Sequence, residues 1–542
     1  MGDKSEESTG LGGASGLVLL TLASGQFVMA LDSSVMNVSI ATVAHDVGTS
    51  VTGIQGAITA YTLVMAVLMI PGGKVGEIIG RKRAFMIGCV VYGCGSFTTA
   101  LAPNLPVLLL GWSFLEGVGA ALILPAIVAL VASNFTKQQR PAAYGLVAAA
   151  GAIAIALGPL IGGIATTYFS WRWVFVGEVV VILGILLLAR RMADAVPDRS
   201  PRIDVVGAVL SALGLGLFVF GVLRSSGWGW FVPKPGGPSW FGLSPVVWLM
   251  LAGLLVLWLF LRWEARLTTQ GREPLVDQAM LHNRQLTGGL TMFFFQYLML
   301  MGVFFVVPLY LSVALGLSAL ATGVRILPLS LTLLAGAVGI PRLFPDVSPR
   351  RVVRYGLLAM VAGAAVLMAT LKPSSGAAAT TVPLLLIGLG MGALASQLGS
   401  VTVSAVPDEQ SADVGGIQNT VTNLGASIGT ALAGSVMIGV LTSSFLTNVE
   451  QSPAIPDRVK AHATEQLAGG IPFLSDAQLR AALDQAGANS QVTQAALDAN
   501  ADARIDGLKV ALAILAFVGL IGLFFVQRIP TTQPGSTDRP GS

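Results

Sequence analysis

The chain has 542 residues, of which 54% are hydrophobic and only 11% charged, with a mean hydropathy of +0.78 and a formal charge of +4. A soluble domain carries about 25% charged residues, so one soluble core is excluded. Apolar stretches of about 20 residues recur from end to end, the pattern of a polytopic, all-α integral membrane protein.

Fourteen spans are predicted, at 16–38, 52–73, 84–103, 106–132, 143–166, 172–190, 204–223, 244–263, 287–311, 319–340, 351–371, 381–404, 414–442 and 507–527. The polar stretch 1–15 has no strongly basic region and no clear cleavage site follows it, so the first span is expected to be retained. Lys and Arg gather in alternate loops: Lys74 with Arg81, Lys82 and Arg83; Lys137 and Arg140; Arg190, Arg191, Arg199 and Arg202; Arg262, Arg266, Arg272 and Arg284; Arg342, Arg350, Arg351 and Arg354. The intervening loops are nearly bare, with Arg172 alone between spans five and six. The positive-inside rule puts the basic set, and both termini, in the cytoplasm. One loop departs from it, the acidic "PDEQSAD" at 407–413. Trp228, Trp230 and Trp240 suit an aromatic belt on the outer side. The polar segment 445–505 reads as an external loop, with a short amphipathic helix at "SDAQLRAALDQAG". Cys89 and Cys94, the only cysteines, share one apolar run and are not expected to form a structural disulfide.

Four features carry chemistry. Asp32 stands inside the first span, where an aspartate costs roughly 2.5–3.5 kcal/mol at a helix centre. "GGKVGEIIGRKRAF", 72–85, sets Glu77 beside Arg81, Lys82 and Arg83 in one loop and can latch two helix bundles through ion pairs. No Gly-Lys-Ser/Thr follows its glycines, so it is not a phosphate loop. In "GAIAIALGPLIGG", 151–163, small residues line one face and Gly158-Pro159 disrupts the helix bonding. "MFFFQYLMLMGVFF", 292–305, offers a broad apolar surface of rings and thioethers, or ordinary lipid-facing bulk.

These stretches resemble the major facilitator superfamily. Gly73, Val75, Glu77, Gly80, Arg81 and Lys82 fall on its loop signature, with Glu77 for the usual Asp. Gly158, Pro159, Gly162 and Gly163 match its antiporter motif. Leu31, Asp32, Val35, Asn37 and Val38 match a motif of the fourteen-span drug:proton antiporters, and 170–175, 310–328 and 415–432 are similar to further stretches. The resemblance implies two six-helix bundles, at 16–191 and 287–527, with two extra helices in a linker at 192–286 and cytoplasmic tails at 1–15 and 528–542. It implies a cavity that opens to each side in turn. Gln55, Tyr61, Gln296, Tyr297, Gln397, Asn419 and Asn423 lie in spans that line this cavity in the superfamily.

A cavity-facing Asp32 that takes up and releases a proton would couple export to the proton gradient; a packing Asp bonded to a neighbour such as Asn37 is the alternative. Two departures bear on this. Ser113 stands where the family has an arginine in span four, with Glu116 one turn on, and Glu178 replaces a common asparagine in span six. The chain thus has one cation fewer and two acids more, and both acids are candidates to share the proton role. Arg325, in span ten, is expected to pair with Glu116 or Asp32 across the cavity, to bind an anionic substrate, or to snorkel to the surface.

The leading expectation is a proton-driven multidrug or antibiotic efflux antiporter. A lipid or specific-metabolite transporter is the close rival, and a membrane sensor or enzyme a distant one. An enzyme needs clustered ligands or a nucleophile–base set, yet His45, His282 and His462 lie in separate loops. The expected partners are the bilayer, a small amphipathic substrate and protons, with no nucleic acid, metal or cofactor, and the state a monomer. The tails and the resemblance point to a bacterial plasma membrane.

Overall fold

The computed structural model describes residues 13–135, 140–192, 194, 204–234, 236–272, 274–344, 346–372, 376–406, 411–453, 455–456, 460, 473–485 and 488–533. The first tail up to 12, Lys137, Arg199, Arg202, 407–410 and the last tail from 534 lie outside them. The helices are α1 (Gly13–Asp46), α2 (Val51–Ile79), α3 (Arg81–Ala100), α4 (Leu105–Leu108), α5 (Gly117–Asn134), α6 (Arg140–Tyr168) and α7 (Arg172–Ala189) in the first half. Then come α8 (Val205–Trp228), α9 (Pro245–Thr269) and α10 (Gln278–Leu281). The second half has α11 (Arg284–Leu309), α12 (Ala319–Leu343), α13 (Pro349–Thr370), α14 (Thr381–Val403), α15 (Ser411–Gln451), a short helix Asp476–Gln485 and a last helix Ser490–Phe525. A π-helical turn, Leu109–Glu116, joins α4 to α5, and another, Tyr310–Ala314, ends α11.

Among the described residues, twelve helices are long and apolar enough to cross a membrane, or thirteen if α6, bent by 42° near its middle, counts as one span. Helix α3 is not among them; it is twenty residues long, opens with Arg81, Lys82 and Arg83, and is rich in Gly, Ser and Thr. Apolar side chains such as Val180, Leu183 and Leu187 on α7, and Leu251, Leu254 and Leu255 on α9, stand exposed, as suits contact with hydrocarbon.

Within the first half, α1 packs on α6 and α7, and α3 packs on α5 and α7. Within the second, α11 packs on α15 and the last helix, and α14 on α12 and α13. Two seams join the halves, α2 against α15 and α6 against α12, while α8 lies along the first seam with α9 on its flank. Glycines make the seams possible. A Cβ on Gly163 would meet the Ala319 carbonyl oxygen at 2.8 Å, and one on Gly323 would strike that of Pro159. Gly158 and Gly162 face α1 instead, against Ser34 and Val35. Polar bonds add to the fit: Leu320 N donates to Thr167 Oγ1 at 2.9 Å, and Gln55 Nε2 to the Thr430 carbonyl at 3.1 Å.

Two expectations about loops are corrected. Residues 72–79 are not loop but the last turns of α2, and the chain reverses at Gly80 with φ of 99°. The ion pairs there stay within the first half: Glu77 holds Lys74 at 2.8 Å and Arg81 at 3.3 Å, while Lys82 Nζ donates to the carbonyls of Arg190 and Met192 beyond α7. The Lys74–Glu77 pair is intrahelical, because residues three apart share a helix face, and Arg81 reaches Glu77 from the start of α3 across the Gly80 turn. Much of 445–505 likewise is helix, because α15 runs to Gln451 and the last helix starts at Ser490. Arg504, 3% exposed as a side chain, draws this part together by bonding Asp476 and the Leu474 carbonyl.

With Cys94 replaced by Ser, cysteines at Thr167 and Leu320 are expected to be joined by a short thiol crosslinker. Adding Gly163→Leu should cut the yield several-fold, because the new side chain has no room against α12. An unchanged yield on gels would contradict the glycine-dependent seam.

Candidate functional site

The site is a set of three acids. Asp32 from the middle of α1, Glu116 from the end of the first π turn and Glu178 from α7 each offer a carboxylate oxygen, all within 4.8 Å of one another. Their exposures are 1%, 0% and 2%. Among the described residues no Lys, Arg or His forms an ion pair with any of them.

The local sequence builds this in steps. The π turn carries Trp112, Ser113 and Glu116 on its buried side. Single π turns inside α-helices recur at functional sites, because the extra residue re-aims the side chains around it. Gly95 on α3 lets the turn approach; a Cβ there would lie 2.6 Å from Glu116 Cγ. Ser113, at the family's arginine position, donates to the Ala57 carbonyl at 2.9 Å and supplies no charge.

The hydrogen bonds distinguish the three acids. Trp112 Nε1 donates to both oxygens of Asp32, each at 2.9 Å, and the indole stacks on Tyr61 with centroids 5.3 Å apart. Glu178 Oε2 accepts from Ser96 Oγ at 3.1 Å and from Tyr92 Oη at 3.4 Å, while its Oε1 has no partner. Glu116 Oε1 accepts from Thr99 Oγ1 at 3.3 Å, while its Oε2 has none. A carboxylate fed on both oxygens suits the charged form. A carboxyl with one bare, buried oxygen suits the protonated form, whose O–H needs an acceptor.

Electrostatics agrees. Two charges 4.8 Å apart repel by about 3 kcal/mol at an effective dielectric of ~20. Three charges at once would set three such repulsions on top of the cost of burial. Protons remove both costs. The arrangement is therefore suited to holding protons and passing them among neighbours.

The other expected residues do not converge on this cluster. Tyr61 belongs to it through the Trp112 stack. Gln55 bonds across the α2/α15 seam. Gln296 Nε2 donates to the Met391 carbonyl at 3.2 Å, and Tyr297 is partly buried on the same helix. Gln397 accepts from Gln533, which also reaches the Val347 carbonyl. Asn419 and Asn423 bond carbonyls of their own helix, those of Gly415 and Asn419. Arg325 is exposed near the start of α12 and makes no ion pair with Asp32 or Glu116, which corrects that expected pairing. A long charged side chain near a helix end reaches water more cheaply than it crosses a protein interior. Asn37 bonds the Ser33 carbonyl rather than Asp32.

Sequence reasoning missed Trp112, Tyr92, Ser96 and Thr99. The signal was present: Trp112 lies four residues before Glu116, and Tyr92, Ser96 and Thr99 form a polar stripe at helical spacing.

The family model described as Major Facilitator Superfamily matches residues 22–204 and 192–430. The chain belongs to that superfamily. It is accordingly a multi-pass membrane transporter and not an enzyme, related to drug efflux and resistance proteins. The puromycin resistance protein of Streptomyces alboniger is 32% identical over 80% of this chain and 84% of its own length. The tetracenomycin C resistance and export protein of Streptomyces glaucescens is 28% identical over 79% and 77%. A riboflavin transporter of Clostridioides difficile is 26% identical over 79% and 89%. Among solved structures, a bacterial homologue of the human lysosomal transporter Spinster, inward-facing and unoccupied, aligns with a TM-score of 0.59 at 14% identity, over 96% of this chain and 98% of its own. That likeness shows the superfamily's helical fold.

Trp112→Phe keeps the stack on Tyr61 and removes the only donor that reaches both Asp32 oxygens. The expected cost is about 1.5–3 kcal/mol, as for a hydrogen bond to a charged group. It should appear as a lower thermal unfolding temperature at neutral pH. In a double-mutant cycle with Asp32→Asn the loss should shrink; a loss that simply adds would show that Trp112 acts by packing alone.

Proposed function

We propose that this transporter is a proton-coupled exporter of small amphipathic compounds, drugs or antibiotics among them, working by alternating access. The observation that carries the reading is the cation-free set Asp32, Glu116 and Glu178, buried in the first half of the chain. In this reading the halves at 16–191 and 287–527 rock against each other, with 192–286 between them. Helix α3 crosses the membrane as well, completing fourteen spans. The basic loops and both termini lie in the cytoplasm of a bacterial cell, and the chain acts as a monomer in the plasma membrane.

Proton entry neutralises Asp32 and weakens its claim on Trp112. Proton loss restores the charge and the two indole bonds. Because Trp112 stacks on Tyr61 of α2, and α2 forms the seam with α15, the proton state of the acids bears on how the halves meet. Gly73, Glu77, Gly80, Arg81 and Lys82 brace the inner end of α2 against α7. Gly158, Pro159, Gly162 and Gly163 bend α6 and seat it between α1 and α12. Gln55, Gln296, Tyr297, Gln397, Asn419, Asn423 and Arg325 are the polar groups that the halves can offer a substrate as they part. A second reading is favoured by the riboflavin transporter among the relatives: one specific metabolite as the cargo, moved by the same machinery.

The test uses purified protein in proteoliposomes that hold a pH gradient. Cationic, neutral, zwitterionic and anionic amphiphiles, and riboflavin, are added in turn. At least one ligand is expected to collapse the gradient. Asp32→Asn should reduce the rate by at least about a hundredfold, in the range of a lost proton-transfer group, and Glu116→Gln and Glu178→Gln more mildly. If ligands bind and no protons move in the wild type, coupled export is wrong. Response to riboflavin alone would favour the single-metabolite reading.

A further inference from the structure

A second pair of acids lies far along the chain from the three above, at the end of the α8/α9 pair remote from Trp228 and Trp230. Asp204 caps the start of α8 and Glu264 sits near the end of α9, at 8% and 0% exposure. Asp204 Oδ2 and Glu264 Oε1 flank the same point above Gly207, and both would clash with a Cβ placed there. The two carboxyls are within hydrogen-bonding reach of each other. One oxygen of each acid has a donor from the protein. Trp263 Nε1 donates to Asp204 Oδ2 at 2.9 Å, and Val276 N donates to Glu264 Oε2 at 3.2 Å. Glu264 Oε1 alone is buried without a donor, and it faces Asp204. Two carboxylates cannot bond each other, because both are acceptors only. The missing partner is a proton on Glu264 Oε1, donated to Asp204.

The bond to Val276 gives this pair a mechanical reach. Val276 and Leu275 belong to the segment between α9 and α10 and are nearly buried. They pack in one apolar cluster with Ile70 of α2, Phe260 of α9, Leu286 and Leu290 of α11, and Val414 and Ile417 of α15. The same two residues, with Gly73, Lys74, Glu77 and Arg81, line a small cleft at the end of α2. One short segment therefore spans both halves of the transporter at the end opposite Gly163.

We propose that Asp204 and Glu264 form a second proton-binding site, and that its bound proton fastens residues 274–277 across the seam between the halves. With the proton present, Glu264 donates through Oε1 to Asp204 and accepts from Val276 through Oε2. When the proton leaves to solvent, two buried carboxylates face each other, Glu264 swings away, and the Val276 bond is lost. The device fastens in acid and opens in alkali. Among the described residues no nearby cation offsets this. Arg266 on α9 and Arg272 beyond its end are exposed, Asp277 caps α10, and Glu77 at the end of α2 pairs with Lys74 of its own helix and with Arg81 at the start of α3. Among the described residues none forms an ion pair with Asp204 or Glu264.

The test reads the segment directly and does not depend on transport or on membrane orientation. In a Cys94→Ser background in detergent, Val276→Cys is labelled with a maleimide from about pH 5.5 to about pH 9, a range that spans buried carboxyls. Labelling of Thr269→Cys at the exposed end of α9 corrects for thiol reactivity. The corrected labelling is expected to rise about tenfold with pH, the weight of one buried hydrogen bond and its repulsion. In Glu264→Gln the amide donates to Asp204 at every pH, and in Asp204→Asn the amide donates to Glu264; in both, labelling should stay low throughout. A flat wild type, or a rise that persists in whichever of these variants elutes as a single folded species, overturns the proposal. Failure of proton-coupled export in liposomes would leave this labelling result unaffected.

Discussion

Three acidic side chains share one buried pocket of the first half, with no ion-pair partner among the described residues, and much of the surrounding structure answers that constraint. Water is excluded, so every oxygen needs a donor or a proton. The donors come from a polar stripe on α3 and from one indole. The indole is placed by a π turn, and that turn lies close only because Gly95 has no side chain. Ser113 stands where a family arginine would have supplied charge, and it spends its hydroxyl on the Ala57 carbonyl instead.

Helix α2 connects this chemistry to the shape of the molecule. One of its faces carries Tyr61, stacked on the tryptophan that holds Asp32. Another carries Gln55 and Thr59, whose amide and carbonyl bond Thr430 and Ser427 of α15. Its end at Glu77 is stiffened by Lys74, Glu77 and Arg81. A single rigid element thus touches the acids, the seam between the halves and the apolar segment under α9. Rigid helices with contacts at both ends transmit small displacements because packed interiors do not deform smoothly.

The two ends of the seam are fastened by different physics. At the Gly163 end, backbone meets backbone through glycines, and dispersion at short range does the holding. At the Glu77 end, the ion pairs stay inside one half, and apolar residues from the α9–α10 segment bridge to the other. The first kind of contact has no charge to titrate. The second hangs on Val276 and its carboxylate neighbour.

Much of this was legible in the residues themselves. Apolar runs are read by a transfer energy that adds up locally, so the spans and their ends are found without knowing the neighbours. Asp32, Glu116 and Glu178 stand out for the same reason, as costly groups in oily runs. Gly158, Pro159, Gly162 and Gly163 announce a bent, close-packed helix by composition alone. That the three acids meet was not legible, because α1, the π turn and α7 converge only through the rotation and tilt of every helix between them. Trp112 looked like one more bulky apolar residue until its N–H had an acceptor. Arg325 could have paired with those acids, bound an anion or reached for the surface, and only the packing of α12 left it exposed. Glu264 was invisible as an acid of interest because it lies among exposed cations at a helix end; its burial depends on a segment that folds back from ten residues downstream. Local energetics decides which parts of this chain enter the membrane. Which side chains then share an interior is decided by packing, a property of all the helices together.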